Sequence, residues 1–124
     1  MVLVDTNVII RILVGDNIKM MEEALDFVEA NKVLARNEVI AEVVYVLQGV
    51  YKLDKTRIHQ LFIDLLEDGI IHTENKSVVT LALDTFATKN LDFVDCLLYA
   101  HNQLNATKVF TFDKTLNKLI RTNL

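Results

Sequence analysis

The amino-terminal segment places an acidic residue directly between a short apolar run and a helical segment. Residues 2–4 are Val-Leu-Val, Asp5 follows at once, and a second apolar run, residues 8–10, begins after Thr6 and Asn7. This pattern predicts a short buried strand with an acid at its carboxyl end and a helix that starts immediately afterwards. Ligands of open α/β sheets bind beyond the carboxyl ends of parallel strands, so Asp5 is a candidate functional residue. The alternative role for Asp5 is that of a helix N-cap.

The rest of the chain alternates between short apolar runs and helical stripes. Strands are predicted at residues 2–4, 33–35, 70–71 and 109–112. Helices are predicted after each of them, with Asn37, Asp54 and Asp92 as candidate caps and with one helix ending near Gly69. Strands separated by helices imply crossover connections and a parallel sheet. We therefore expect one domain over residues 1–124, a three-layer α/β/α fold with a short, mostly parallel central sheet of about four strands.

Charge and hydropathy limit the function classes. Thirteen basic and seventeen acidic residues give a net charge of −4, which excludes a nucleic-acid binder of the basic-patch kind. The chain is 52% apolar with a mean hydropathy of +0.28, so we expect exposed apolar surface that a partner covers, such as a second copy in a homodimer. No apolar run reaches the roughly 18 residues of a membrane span. The single Cys96 and the absence of a signal-peptide pattern favour a cytoplasmic protein.

Three further acids lie where the apolar pattern does not require them. Asp95 lies in FVDCLLYA, where the first turns of a helix are apolar almost all round. Its alternative role is that of an N3 residue in a capping arrangement with Asp92. Asp113, in VFTFDKTL, repeats the position of Asp5 at the end of a predicted strand, and capping is again the alternative. Glu42 lies on the edge of an apolar helical stripe, and Glu38, one turn earlier, competes for the same role.

The conjunction of these acids points to a metal ion. Asp5 and Asp113 would come together if their strands were neighbours, and clustered carboxylates repel one another unless a cation is bound. Carboxylate oxygens favour Mg²⁺ or Mn²⁺. Zinc is not expected, because the three histidines, His59, His72 and His101, lack the spacing of zinc ligands. Glycine-rich phosphate loops and a nucleophile elbow are also absent from the sequence.

Four segments, VDTNVII, IAEVVYVL, FVDCLLYA and TFDKTL, resemble in order and spacing the acidic motifs of the PIN-domain nucleases. The chain is most similar to the VapC-type toxin ribonucleases of prokaryotic toxin–antitoxin pairs. The resemblance implies a Mg²⁺- or Mn²⁺-dependent endoribonuclease, with RNA as substrate and with an antitoxin held in a hydrophobic groove.

Carried over by position, the resemblance makes Asp5, Glu42, Asp95 and Asp113 the catalytic and metal-binding acids. Asn7 and Thr111 match the supporting polar residues, and Asp92 matches an outer-shell ligand. Two departures from the family pattern are the approach to Glu42, residues 34–38, and the end of the chain at residues 121–124, where the family commonly has one more strand.

The chemistry that these acids allow is phosphodiester hydrolysis by a metal-activated water, with Arg11, Lys114 and Lys118 as candidate cations for the RNA backbone. Two other fold families use strand-end acids around Mg²⁺. A receiver domain is expected to have an acidic pair after the first strand, and a haloacid-dehalogenase-like phosphatase is expected to have Asp at position 7, where Asn7 stands. A catalytically silent binding module with the same fold is the remaining alternative.

Overall fold

The computed structural model describes residues 1–120 and divides the chain into two compact units, Met1–Glu74 and the part from Asn75 onward. The predicted departure at residues 121–124 lies outside the described residues. No helix of the described chain is long and apolar enough to cross a membrane.

The first unit contains all the strands assigned within residues 1–120. Its elements in order are β1 (Val2–Leu3), α1 (Thr6–Val14), α2 (Ile18–Ala30), β2 (Val33–Ala35), α3 (Asn37–Gly49), α4 (Lys55–Glu67) and β3 (Ile71–Thr73). The strands form one parallel sheet in the order β1-β2-β3, with Val33 aligned with Val2 on one side and with Ile71 on the other. The predicted α/β class and the short parallel sheet are confirmed, with three strands rather than four.

The middle strand carries the core of this sheet, and the first strand does not. Val33 and Ala35 of β2 are buried, because neighbouring strands flank β2 on both sides. In β1 the prediction of a buried strand is wrong, since Leu3 is 61% exposed and only the following residue, Val4, is buried. Val2 and Leu3 instead line an open hollow between β1 and α2, which leaves their side chains accessible.

The second unit, as far as residue 120, is helical. Its elements are α5 (Lys76–Thr88), α6 (Phe93–Asn105) and α7 (Lys114–Leu119). Helix α5 packs along α6, and the rings of Phe86 and Phe93 meet edge to face with centroids 5.9 Å apart. Both phenylalanines are buried, so this helix pair forms the core of the second unit.

The predicted strand at residues 109–112 is not formed. This segment has no ladder partner within residues 1–120, although its residues alternate as a strand would. Phe110 and Phe112 are 73% and 89% exposed, and their rings contact each other edge to face. A strand requires a partner that lies elsewhere in the chain, and a local apolar pattern does not specify one.

Most helix starts follow local capping rules, and the exceptions among the described helices are α3 and α6. Asn17, Asp54 and Asn75 each accept a hydrogen bond from the backbone N–H three residues on, as N-caps do. The prediction that Asn37 caps α3 is wrong, because α3 begins at Asn37 itself and Arg36 occupies the capping position without a side-chain bond. The Oδ1 atom of Asn37 is instead buried with no hydrogen-bond partner.

Candidate functional site

Asp5 occupies both of the positions that the sequence suggested for it. It follows β1 and Val4, at the carboxyl edge of the sheet, and it is the N-cap residue of α1. One carboxylate oxygen, Oδ1, accepts a hydrogen bond from the Val8 backbone N–H at 3.2 Å. Because this bond occupies Oδ1 and the side chain is exposed, Oδ2 stays available to a ligand.

A cleft of about 520 Å³ in the first unit brings Asp5, Asn7 and Glu42 around one space. The remaining lining residues come from α1, from α3 and from the two positions that follow α3: Thr6, Ile10, Arg11, Val39, Val46, Val50 and Tyr51. Glu42 therefore lines this cleft from α3. Two predicted acids and the supporting Asn7 thus line the same cleft.

Glu38, the competitor of Glu42, does not line this cleft. Arg36 lies between two acids, with Nε 3.1 Å from Glu38 and Nη2 3.2 Å from Glu74. A hydrogen bond from its own backbone N–H and a second one from Arg36 hold the pKa of the Glu38 carboxyl below its usual range. Glu38 is thus engaged outside the cleft, whereas Glu42 lines it.

A polar network beside the cleft was not predicted from the sequence. Arg11 Nη1 donates to Asp16 Oδ1 at 3.1 Å, and the Tyr51 hydroxyl donates to Asp16 Oδ2 at 3.2 Å. Arg11 was a candidate because it is a cation near Asp5, whereas Asp16 and Tyr51 carried no signal. Tyr51 lies 35 residues from Asp16, so only the fold brings them together.

The second unit gathers the other predicted acids. Asp113 is the N-cap of α7, and its Oδ1 accepts from the Leu116 N–H at 2.8 Å. The Asp113 backbone N–H donates to Thr111 Oγ1 at 3.0 Å, so Thr111 fixes the approach to this acid. In addition, Asn117 Nδ2 donates to the Thr111 carbonyl at 2.8 Å, which ties the approach to α7 itself.

Asp95 lies in the first turn of α6 and is partly buried. Burial raises the pKa of its carboxyl above the ordinary value, and the negative charges of Asp113 and Asp92 raise it further. Asp92 occupies the N-cap position of α6, but its side chain makes no capping hydrogen bond. The capping alternative therefore does not account for Asp92, and three carboxyl groups of this unit interact electrostatically.

Crowded carboxylates with few compensating cations are the donor chemistry that Mg²⁺ or Mn²⁺ requires, since both ions prefer oxygen ligands. Burial and the charges of Asp113 and Asp92 disfavour the ionised form of Asp95, so a hard cation beside these carboxyl groups would stabilise it. Within residues 1–120, no group of three or more His, Cys, Asp or Glu side chains is arranged so that it could hold a metal ion.

The family follows from comparison with known proteins. The family model described as the PIN domain matches residues 2–121, which include all four predicted acids. The chain belongs to the PIN-domain family. This PIN domain is 27% identical over 124 residues to a VapC ribonuclease from Aquifex aeolicus (strain VF5), and the match covers 96% of the chain and 92% of the relative. No solved structure gives a significant match.

Membership in the PIN-domain family excludes two of the alternatives left open by the sequence. The receiver domain and the haloacid-dehalogenase-like phosphatase are different fold families, and the PIN model covers nearly the whole chain. The silent binding module stays open, because a PIN domain that has lost activity would give the same family match.

Proposed function

We propose that this PIN domain is a metal-dependent endoribonuclease and acts as the toxin of a prokaryotic type II toxin–antitoxin pair. The observation that carries the proposal is Asp95, a partly buried carboxyl whose pKa is raised by burial and by the charges of Asp113 and Asp92. Burying an acid beside two others destabilises a fold, so such an arrangement indicates function rather than structure. The similarity to a VapC ribonuclease supports RNA as the substrate.

In this proposal Asp5, Asp95 and Asp113 hold Mg²⁺ or Mn²⁺, and Glu42 completes the metal shell. When bound, the ion supplies an activated water and neutralises charge on the phosphate. The chain's own residues orient the ligands. The Val8 N–H fixes the rotamer of Asp5, Thr111 supports the backbone at Asp113, and Asn7 lines the cleft with Asp5. Asp92, without a capping bond, is left for an outer-shell contact.

The same proposal covers partners and location. An antitoxin is the expected inhibitor, because the four acidic motifs resemble those of the VapC-type toxins and the relative is a VapC ribonuclease. A homodimer is expected because large apolar side chains are exposed, including Leu3, Ile18 and Phe27. The single Cys96 is buried and has no second cysteine in the sequence to pair with, which suits a cytoplasmic protein.

The test is RNA cleavage by the purified protein with a metal and with chelator. We expect cleavage with millimolar Mg²⁺ or Mn²⁺ and none in EDTA, because all the proposed ligands are oxygens. Asp95→Asn removes one ligand charge without changing side-chain volume and should lower the cleavage rate at least about a hundredfold, as loss of a group essential to the chemical step does.

Asp26→Asn is the matched control. Asp26 is exposed on α2 and lines neither the cleft nor the acid cluster of the second unit, so its variant should cleave as the parent does. Cleavage that persists in EDTA, or that survives Asp95→Asn unchanged, would overturn the metal mechanism. RNA binding without cleavage under any metal condition would identify a silent binding module.

A further inference from the structure

We propose that Arg11 binds a phosphate of the RNA in the cleft, and that Asp16 and Tyr51 are positioning residues for its guanidinium group. This inference rests on the proposed function, because it assigns a subsite next to the proposed catalytic acids. It adds two residues of the first unit to the site, and neither carries a motif signal.

The side chain of Arg11 lies close enough to Asp5 to supply the positive charge that a phosphate bound there would need. It lines the cleft with Asp5, Asn7 and Glu42, and with Asp5 and Asn7 it also lines a second hollow of about 560 Å³ beside β1 and α2. The side chain is 25% exposed, so most of it is held against the protein while part of it faces the two hollows. Arg11 is thus common to both surfaces that flank Asp5.

The hydrogen bonds of Arg11 leave donor capacity unused. A guanidinium group has five N–H donors, and the bond to Asp16 uses Nη1. The Nε atom is buried and has no hydrogen-bond partner. Because Nε is shielded from solvent, the donors that a ligand in the cleft can reach are the N–H groups of the Nη atoms, and an anionic oxygen is the acceptor that they favour.

Arg11 is not simply a counterion for the proposed catalytic acids. Arg11, Asp5 and Glu42 all line the cleft. The ion pair of Arg11 is nevertheless with Asp16, which does not line it. The pairing with Asp16 withdraws Arg11 from the metal ligands and leaves their carboxylates available to a cation. A guanidinium placed beside a metal site, but not paired with it, matches a phosphodiester whose charge is shared between the two.

Tyr51 holds Asp16 through the other carboxylate oxygen. Oδ1 of Asp16 accepts from Arg11, and Oδ2 accepts from the Tyr51 hydroxyl at 3.2 Å. Tyr51 follows α3, the helix that carries Glu42, whereas Asp16 lies in the loop between α1 and α2. The network therefore couples the position of Arg11 to the helix that forms the other wall of the cleft.

The first experiment measures binding of a fluorescent single-stranded RNA in EDTA over a range of salt concentrations. For single strands, each phosphate contact contributes about 0.7 to the slope of log affinity against log salt. Arg11→Gln should reduce the slope by about that amount, whereas Arg11→Lys should keep the slope while binding more weakly, because it preserves the charge but not the fork of donors.

Arg57→Gln is the matched control, because it makes the same change of charge at an exposed position on α4 that lines neither hollow. It should leave the slope close to that of the parent. A purely structural role for Arg11 would lower affinity through misfolded protein without a specific change of slope.

The second experiment tests the positioning residues in the cleavage reaction with Mg²⁺. Tyr51→Phe removes only the hydroxyl, so the ring keeps its packing. We expect KM to rise about two- to tenfold with kcat unchanged, because the net contribution of one typical hydrogen bond acts on substrate binding and not on the chemical step. Asp16→Asn keeps only one of the two acceptor oxygens and removes the negative charge, so it should raise KM further.

The two experiments separate this inference from the proposed function. If the parent cleaves RNA but Arg11→Gln and Tyr51→Phe change neither the salt slope nor KM, the phosphate subsite is wrong and the nuclease stands. If the parent binds RNA with an Arg11-dependent slope but never cleaves it, the subsite stands and the nuclease is wrong. If the parent neither binds nor cleaves RNA, both are overturned.

Discussion

Asp95 is the residue whose environment departs most clearly from that of an ordinary surface acid. Its carboxyl is partly buried in the first turn of α6, and the charges of Asp113 and Asp92 act on it. The N-terminus of a helix favours negative charge, but here burial and the two neighbouring carboxylates outweigh that effect, since the pKa is raised rather than lowered.

The raised pKa predicts how the stability of the metal-free protein depends on pH. The pKa of Asp95 in the folded state lies above its ordinary value of 3.8. Between these two values the folded protein therefore binds more protons than the unfolded protein does. Stability from this group is therefore greatest at acid pH and is lost as pH rises through the window between 3.8 and the raised folded pKa. Asp95→Asn abolishes this dependence.

We expect Asp95→Asn to be at least as stable as the parent at neutral pH in EDTA, with the advantage shrinking as pH falls toward about 4. Urea unfolding of both proteins at acid and neutral pH measures the difference. Asp26→Asn, an exposed acid on α2, should show no such pH-dependent difference. A parent that is more stable than Asp95→Asn at neutral pH without metal would contradict the crowding of these carboxyls.

At the residue scale, what the sequence predicted was local. Asp5, Asp54 and Asp113 each lie three residues before the N–H that they accept from, so a short pattern contains everything that capping requires. The link between Asp16 and Tyr51 depends on where α3 ends relative to the α1–α2 loop, which no local pattern encodes. Likewise the capping rule predicted Asn37 as the cap of α3, but the capping position lies one residue earlier, at Arg36.

At the scale of elements, helices could be predicted and strand pairing could not. The apolar stripe of α4 follows from spacing alone, because its buried residues Ile58, Phe62 and Leu65 recur at i, i+4 and i+7. The apolar run at residues 109–112 satisfies the same kind of local rule for a strand, yet it lacks a ladder partner within the described chain. The helix makes its backbone hydrogen bonds within the segment, whereas a strand requires a second one.

Asp5 has two roles in our proposal, as the N-cap of α1 and as a metal ligand, and substitutions can separate them. Asp5→Ala removes the acceptor for the Val8 N–H and should cost about 0.5–2 kcal/mol of stability in EDTA. The cost should be larger with Mg²⁺, because the substitution also removes a proposed metal ligand. Asp5→Asn keeps an acceptor oxygen and removes the charge, so without metal it should be about as stable as the parent. With millimolar Mg²⁺ the parent gains stability in proportion to the logarithm of free ion over Kd, and Asp5→Asn should lose most of that gain.

Thermal unfolding of the parent, Asp5→Ala and Asp5→Asn, each with EDTA and with Mg²⁺, measures both effects. Asp54→Ala is the control, because Asp54 caps α4 in the same way and lines neither hollow of the first unit. It should lose stability and keep the full increment from Mg²⁺. An equal increment in the parent and in Asp5→Asn would show that Asp5 caps a helix and does not hold the ion.

At the scale of the whole molecule, both units expose large apolar side chains. In the first unit, Leu3 and Phe27 are exposed and line the hollow beside β1 and α2. In the second unit, Phe110 and Phe112 are largely exposed. A net charge of −4 on 124 residues gives little repulsion between copies. Such surface is typical of proteins that associate, and the apolar composition predicted it without indicating where it lies.

We therefore expect the purified protein to be a homodimer at micromolar concentration, with a mass twice the 14.2 kDa of one chain in light scattering after size exclusion. Because apolar contact rather than ion pairing would hold the two copies together, the dimer should persist when the salt concentration is raised, and a strongly excluded salt such as sulfate should strengthen it. The same measurement at low and high sodium chloride provides the comparison. A mass of one chain throughout, or a dimer that dissociates as chloride screens charge, would show that the exposed apolar side chains do not drive self-association and would leave them as surface for a different protein.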